Sequence, residues 1–128
     1  MKTVLFDCFL VGAGGFAGAI CRYGVTAASK LLWETSFPIG TLVANIIGCF
    51  LIGMLMGSGH EEANRNLRLL FGVGFLGALT TFSTFGAETV SHANEQSYGI
   101  AAGNILMNVI LGVTAVMLGI WLGKKLTA

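Results

Sequence analysis

Acidic and basic side chains leave three long segments of this chain without any charge. The three uncharged segments are residues 35–60, 69–87 and 96–123. A helix needs about 20 apolar residues to cross the hydrocarbon core of a bilayer, so each segment is long enough to cross once. A fourth stretch, residues 8–21, lies between Asp7 and Arg22. It also reaches the required length if the Arg22 side chain extends towards the membrane surface.

This pattern predicts an all-α integral membrane protein that forms one domain over residues 1–128 and crosses the membrane four times. The expected helices cover residues 4–28, 37–57, 67–91 and 98–123. Only 10% of the residues are charged, against about a quarter in soluble proteins, so the chain cannot build a soluble surface. A net charge of +1 also argues against nucleic-acid binding, which requires a basic surface.

The first segment is expected to be a mature helix and not a cleaved signal peptide. It carries a single Lys and the acidic Asp7, and its apolar stretch continues past the usual signal length. With four crossings, one side of the membrane would hold both termini and five basic residues: Lys2, Arg65, Arg68, Lys124 and Lys125. The other side would hold Lys30 and Arg22. This bias favours cytoplasmic termini.

Glycines recur at a spacing that lets helices approach closely in lipid. The four pairs are Gly14 and Gly18, Gly53 and Gly57, Gly99 and Gly103, and Gly119 and Gly123. These pairs could pack helices within one subunit or between the subunits of a homo-oligomer. Four helices offer few side chains to surround a transport pathway, so we expect a homo-oligomer.

No enzyme is predicted from the remaining motifs. Residues 12–17 fit the dinucleotide fingerprint, but no strand and helix alternate around them as that fold requires. The cysteines and histidines, which are Cys8, Cys21, Cys49, His60 and His92, lack metal-ligand spacing. No Ser/His/Asp or Cys/His set that could form a catalytic site can be identified.

Polar side chains at membrane depth are costly and usually face a helix interface or an aqueous path. Thr41 and Asn45 are four residues apart in the second segment, and Asn104 and Asn108 repeat this spacing in the fourth. Each pair therefore shares one helix face. From the spacing alone, these residues could either join helices by hydrogen bonds or line a pathway.

The third segment contains the most unusual stretch, residues 77–86, with four hydroxyls, two phenylalanines and two glycines. Such a composition is poor helix material, so we expect the third helix to be broken near its middle. Unwound backbone at this depth commonly coordinates cations. Phe82 and Phe85 share one face, and their ring edges, which carry positive potential, could meet a small anion.

Residues 74–85 read GFLGALTTFSTF and are followed by Ala87, Glu88 and Thr89. This segment resembles the signature of the Fluc (CrcB-type) fluoride channels. Residues 40–48, GTLVANIIG, resemble that family's second-helix motif, and residues 18–22, GAICR, resemble its first-helix motif. The resemblance covers essentially the whole chain in length, helix count and motif order.

The resemblance implies an antiparallel, dual-topology homodimer in the bacterial inner membrane, with two pores that export cytoplasmic fluoride passively and so give fluoride resistance. By position, Asn45 would donate to fluoride, and Phe82 and Phe85 would present their ring edges to it. The other expected pore residues are Ser83, Thr84, Thr41 and Asn108.

The resemblance also implies a structural sodium ion on the dimer two-fold axis. Backbone carbonyls of Gly77 and Thr80 would hold this ion. Arg22 and Glu88 match the family's basic and acidic positions. The chain departs from the family in the fourth helix, where Asn108 replaces a Ser or His and Gly112 replaces a common serine.

Two other classes of protein fit four short spans. A small multidrug antiporter needs a membrane-embedded carboxylate in its first helix, whereas Asp7 lies near the start and Glu88 lies in the third helix. A non-transporting assembly subunit would carry no ion flux alone and would leave the broken-helix motif unexplained.

Overall fold

The computed structural model describes residues 2–59 and 64–127, so His60 lies outside the described residues. Helix α1 covers Lys2–Leu32 and α2 covers Ile39–Ser58. The third span contains two helical stretches, which we call α3 and α4, and the last helix is α5, Tyr98–Thr127. Among the described residues, four helical spans are long and apolar enough to cross a membrane: Thr3–Leu32, Ile39–Ser58, Arg65–Asn94 and Tyr98–Thr127. This confirms the prediction of an all-helical chain with four membrane spans.

Helix α3 changes its hydrogen-bond pattern twice. It starts with one turn, Arg65–Leu67, continues as a π-helix over Arg68–Leu76, and ends with another turn, Gly77–Leu79. The Asn64 side chain caps its start by accepting hydrogen bonds from the backbone N–H groups of Asn66 and Leu67, both at 3.1 Å. This cap provides partners for two of the N–H groups that a helix start leaves unpaired.

Two residues with extended backbone, Thr80 and Thr81, separate α3 from α4, which covers Phe82–Asn94. The Thr81 side chain caps α4, since its hydroxyl accepts a hydrogen bond from the Thr84 N–H at 3.2 Å. The interruption divides the third span between two partners. Helix α3 packs on α1, whereas α4 packs on α5.

Glycines bring two helix pairs, α2 with α5 and α1 with α3, into direct backbone contact. A Cβ atom on Gly53 or Gly119 would clash with a backbone carbonyl of the facing helix, so α2 and α5 can approach this closely only without side chains there. Gly57 and Gly123 extend the same contact. Gly14 and Gly18 likewise allow close backbone contact between α1 and α3. Three of the four glycine pairs found in the sequence therefore pack helices within one chain.

An ion pair connects the start of α3 to α1. Both terminal nitrogens of the Arg65 guanidinium, Nη1 and Nη2, donate to the Asp7 carboxylate, the first of them at 2.6 Å. Two-point contact of this kind fixes the orientation of both side chains. It holds the first turn of α3 beside the beginning of α1, which the sequence separation of 58 residues does not predict.

Most of the large apolar side chains point outwards. The buried apolar core is small, being formed by Leu42, Ala44, Leu76, Leu79, Ala101 and Ala115. In lipid such an outward-facing apolar surface costs nothing, because the surrounding solvent is itself apolar.

Candidate functional site

A groove of about 430 Å³ opens between α2, α5 and the junction of α3 with α4. Its polar lining consists of Asn45, Thr80, Thr81 and Asn108, and its aromatic lining consists of Phe82 and Phe85. Small residues, among them Gly48 and Gly77, leave the space open. No charged residue of the described chain lines the groove.

Asn45 connects α2 to the extended residues of the third span. Its Oδ1 accepts a hydrogen bond from the Thr81 N–H at 2.8 Å. Its Nδ2 donates to Asn108 Oδ1 at 2.9 Å and, at a longer 3.4 Å, to the Thr81 carbonyl. The pairing of the two predicted pore residues Asn45 and Asn108 therefore arises because α2 packs directly on α5.

Two further residues continue this hydrogen-bonded series away from the groove. Asn108 Nδ2 donates to the side-chain oxygen and to the backbone carbonyl of Asn104, both at 2.9 Å. Asn104 Nδ2 then donates to Thr89 Oγ1 on α4 at 2.9 Å. Asn104 is fully buried, so its amide depends on these partners for its hydrogen bonds.

Hydroxyl groups cluster at the start of α4. Thr81 Oγ1 donates to Thr84 Oγ1 at 3.0 Å and lies 3.3 Å from Ser83 Oγ. Thr81 itself is buried, while Ser83 and Thr84 are exposed. The predicted pore residues Ser83 and Thr84 are thus exposed at the start of α4 and do not line the groove.

Phe82 and Phe85 contact each other on one face of α4. Their ring centroids are 5.5 Å apart and their planes meet at 53°. Both line the groove, but Phe82 is 84% exposed and half-buried Phe85 is better covered. The aromatic pair predicted from the three-residue spacing is present, with one ring lacking a partner surface in a single chain.

Thr41 lies apart from this groove, although it shares a helix face with Asn45. Its hydroxyl donates to Glu88 Oε1 at 2.8 Å, and both residues line a second cavity of about 250 Å³ together with Lys30 and His92. Glu88 Oε2 is buried without a hydrogen-bond partner among the described residues. Arg22 is half-buried on α1, a helix that contributes nothing to the groove lining.

Backbone carbonyls at the end of α3 could hold a hard cation. The Thr81 N–H, which would bond to the Gly77 carbonyl in a continuous helix, donates to Asn45 instead. Gly77 is exposed, and Thr80 has extended backbone with a ψ of 156°. Oxygen ligands of this type suit sodium. The described residues contain no group of three His, Cys, Asp or Glu side chains that could hold a metal.

Sequence reasoning missed Thr81 and Thr89 and did not select Asn104 as a site residue. Thr81 belongs to the hydroxyl-rich run, and the signal that could have singled it out is its place as a cap three residues before Thr84. Thr89 gave no comparable signal, because its contact with Asn104 depends on how α4 packs on α5.

Comparisons with known proteins agree with one another. The family model of the CrcB-like proteins (Camphor Resistance, CrcB) matches residues 9–120. A Dehalococcoides mccartyi protein named fluoride-specific ion channel FluC is 43% identical over 94% of both chains. Proteins of the same name from Nitratiruptor and Sulfurovum are 42% and 44% identical, over 92% and 91% of this chain and 92% of each relative. With its four spans, the chain is a multi-pass bacterial membrane protein.

Proposed function

The chain belongs to the CrcB-like protein family, and from this membership and the groove geometry we propose that it is a passive, fluoride-selective ion channel. Its function would be to let cytoplasmic fluoride leave the cell and so to give fluoride resistance. The relatives' name, fluoride-specific ion channel, supports the choice of ion. That name also supports a role outside enzyme catalysis.

The observation that carries the proposal is the uneven bonding of the Asn45 amide. Its nitrogen is bonded firmly to Asn108 at 2.9 Å but only weakly to the Thr81 carbonyl at 3.4 Å. The second N–H is therefore available to an entering anion at little cost. Fluoride is small and strongly hydrated, so a pore must replace its water with hydrogen-bond donors of this kind.

The other groove residues suit rapid passage. Ring edges of Phe82 and Phe85 offer positive potential without a fixed charge. The exposed hydroxyls of Ser83 and Thr84 lie next to them on α4, outside the groove lining of the single chain, and would offer further donors. An ion must be bound well enough to enter and weakly enough to leave. The uncharged lining of the described groove satisfies the second condition, since none of its side chains carries a positive charge that would retain fluoride.

A second copy of the chain would complete the site. The exposed Phe82 ring and the open side of the groove support an antiparallel homodimer with two pores, each closed by the partner. In such a dimer the Gly77 and Thr80 carbonyls would hold the structural sodium ion, and we take Thr80 and Thr81 as the break that frees them. Thr41, Glu88 and Arg22 would lie outside the narrow part of the pore.

Liposomes that contain the purified protein test the channel directly. We expect a fluoride electrode to record rapid fluoride efflux once a potassium ionophore is added, while matched chloride-loaded liposomes retain their ion. Retention of both ions by folded protein would reject the channel. Drug transport coupled to protons would then favour the antiporter, and inactivity in both assays would favour the assembly subunit.

The phenylalanine pair provides a separate test of how the ion is held. Phe82→Ile and Phe85→Ile keep an apolar side chain but remove the ring edge, and we expect each to lower fluoride efflux by about tenfold, within the range measured for aromatic contacts. Phe9→Ile, at an exposed position of α1 outside the groove, is the matched control. Normal efflux in both groove variants would remove the ring edges from the mechanism.

A further inference from the structure

Asn104 is the largest side chain that is fully buried in the described chain, yet it does not line the groove. All of its amide hydrogen bonds run to Thr89 on one side and to Asn108 on the other. Burying an amide in this way requires good partners on both sides. Its location beside a conduction site suggests a role that acts through Asn108.

The hydrogen bonds of this series have a fixed direction. Thr89 uses its only hydroxyl proton to donate to the Phe85 carbonyl at 2.8 Å. Its oxygen can therefore only accept, which requires the Asn104 nitrogen to face Thr89 and the Asn104 oxygen to face Asn108. The direction of each later amide follows, because a donor must meet an acceptor at every contact.

The same direction continues to the groove. Asn108 turns its nitrogen to Asn104, so its oxygen faces α2 and requires the Asn45 nitrogen opposite. The Asn45 oxygen then meets the Thr81 backbone N–H, a group that can only donate. Both ends of the series thus agree on one orientation, and reversing any single amide would place two donors or two acceptors together.

We propose that Asn104 is a positioning residue that holds Asn108, and through it the Asn45 amide, in the orientation required for conduction. This inference rests on the proposed function, since its effect is felt by the permeating ion. Asn104 never contacts the ion. Without its amide, Asn108 could rotate and offer its nitrogen to α2, and the Asn45 amide would lose its firmest partner.

A double-mutant cycle on fluoride efflux tests the proposal. Asn104→Leu and Asn108→Leu should each lower efflux by about tenfold, the size expected for losing one net hydrogen bond. If Asn104 acts only through Asn108, the double variant should be no slower than Asn108→Leu alone. Wild-type efflux in Asn104→Leu, or a double variant whose loss is the product of the two single losses, would overturn the proposal.

A second set of variants avoids removing a buried amide. Thr89→Val keeps the volume of the side chain but removes the acceptor that orients Asn104, so efflux should fall, while Thr89→Ser restores a hydroxyl and should restore efflux. Thr114→Val is the matched control, because Thr114 is exposed on α5 and its hydroxyl donates only within its own helix, to the Ile110 carbonyl. Equal efflux in Thr89→Val and Thr114→Val would contradict the proposal.

A structural measurement separates this inference from the channel proposal. In ¹⁵N-labelled protein in micelles, the side-chain NH₂ signals of Asn45 can be assigned by their loss in Asn45→Leu. Asn104→Leu and Thr89→Val should shift these signals, and Thr114→Val should not. If the wild-type protein carries no fluoride, the proposed function fails, yet a shift still supports the positioning role and unshifted signals refute it.

Discussion

Replacing Asn45 with aspartate is expected to reduce fluoride efflux by about a thousandfold. The side chain keeps its shape but gains a negative charge inside the proposed anion path and loses the N–H groups that would bind the ion. At an effective dielectric constant of about 20, two like charges about 4 Å apart repel by about 4 kcal/mol, which corresponds to this factor. Efflux from liposomes measures the effect.

Two control variants distinguish the charge from the lost donor. Asn45→Leu removes the donor without adding charge and should retain more efflux than Asn45→Asp. Asn94→Asp makes the same chemical change at the exposed end of α4 and should leave efflux unchanged. Full activity of Asn45→Asp would remove Asn45 from the pathway.

Substituting alanine for Gly119 is expected to lower the melting temperature in detergent by roughly 10 °C. The added Cβ would clash with the Phe50 backbone carbonyl on α2, so α2 and α5 must move apart. Overpacking of this kind costs about 1–3 kcal/mol, and each kcal/mol shifts the midpoint by several degrees in domains of this size. Thermal unfolding followed by size-exclusion chromatography measures the shift.

Gly99→Ala is the matched control for this substitution. It makes the same change on the same helix, at a position where an added Cβ meets nothing within 4 Å. Because alanine favours helix formation over glycine, Gly99→Ala should be neutral or slightly stabilising. If both variants have the melting temperature of the wild type, backbone contact between α2 and α5 does not limit stability.

The four spans could be predicted from the sequence because lipid excludes charge, and the gaps between charged residues therefore mark where the chain crosses. The run of Thr and Ser after Gly77 also predicted weak helix, and the extended residues Thr80 and Thr81 lie in this run. Both signals depend only on residues that are neighbours in the sequence, so they can be recognised without the structure.

Contacts between spans could not be predicted in the same way. The spacing of Asn45 and Thr41 places both on one face of α2. Only the packing of α5 and α4 against α2 shows that Asn45 bonds to Asn108 and that Thr41 bonds to Glu88. The spacing of the glycine pairs was compatible with contact within a chain or between chains, and we expected a homo-oligomer. The sequence shows Asp7 and Arg65 only as charged residues beside the spans. It does not show that these two residues, far apart along the chain, form an ion pair.

The interruption at Thr80 and Thr81 also has a mechanical consequence for the bundle. Helix α3 is attached to α1, and α4 is attached to α5, which in turn packs on α2. Helix α1 also packs on α2, so relative movement of α3 and α4 would be shared between this contact and the two extended residues. Thr81 also bonds to Asn45, so we expect movement at these two residues to reach the Asn45 amide, the group that we propose to bind the ion, and a stiff connection to hold that amide steadily.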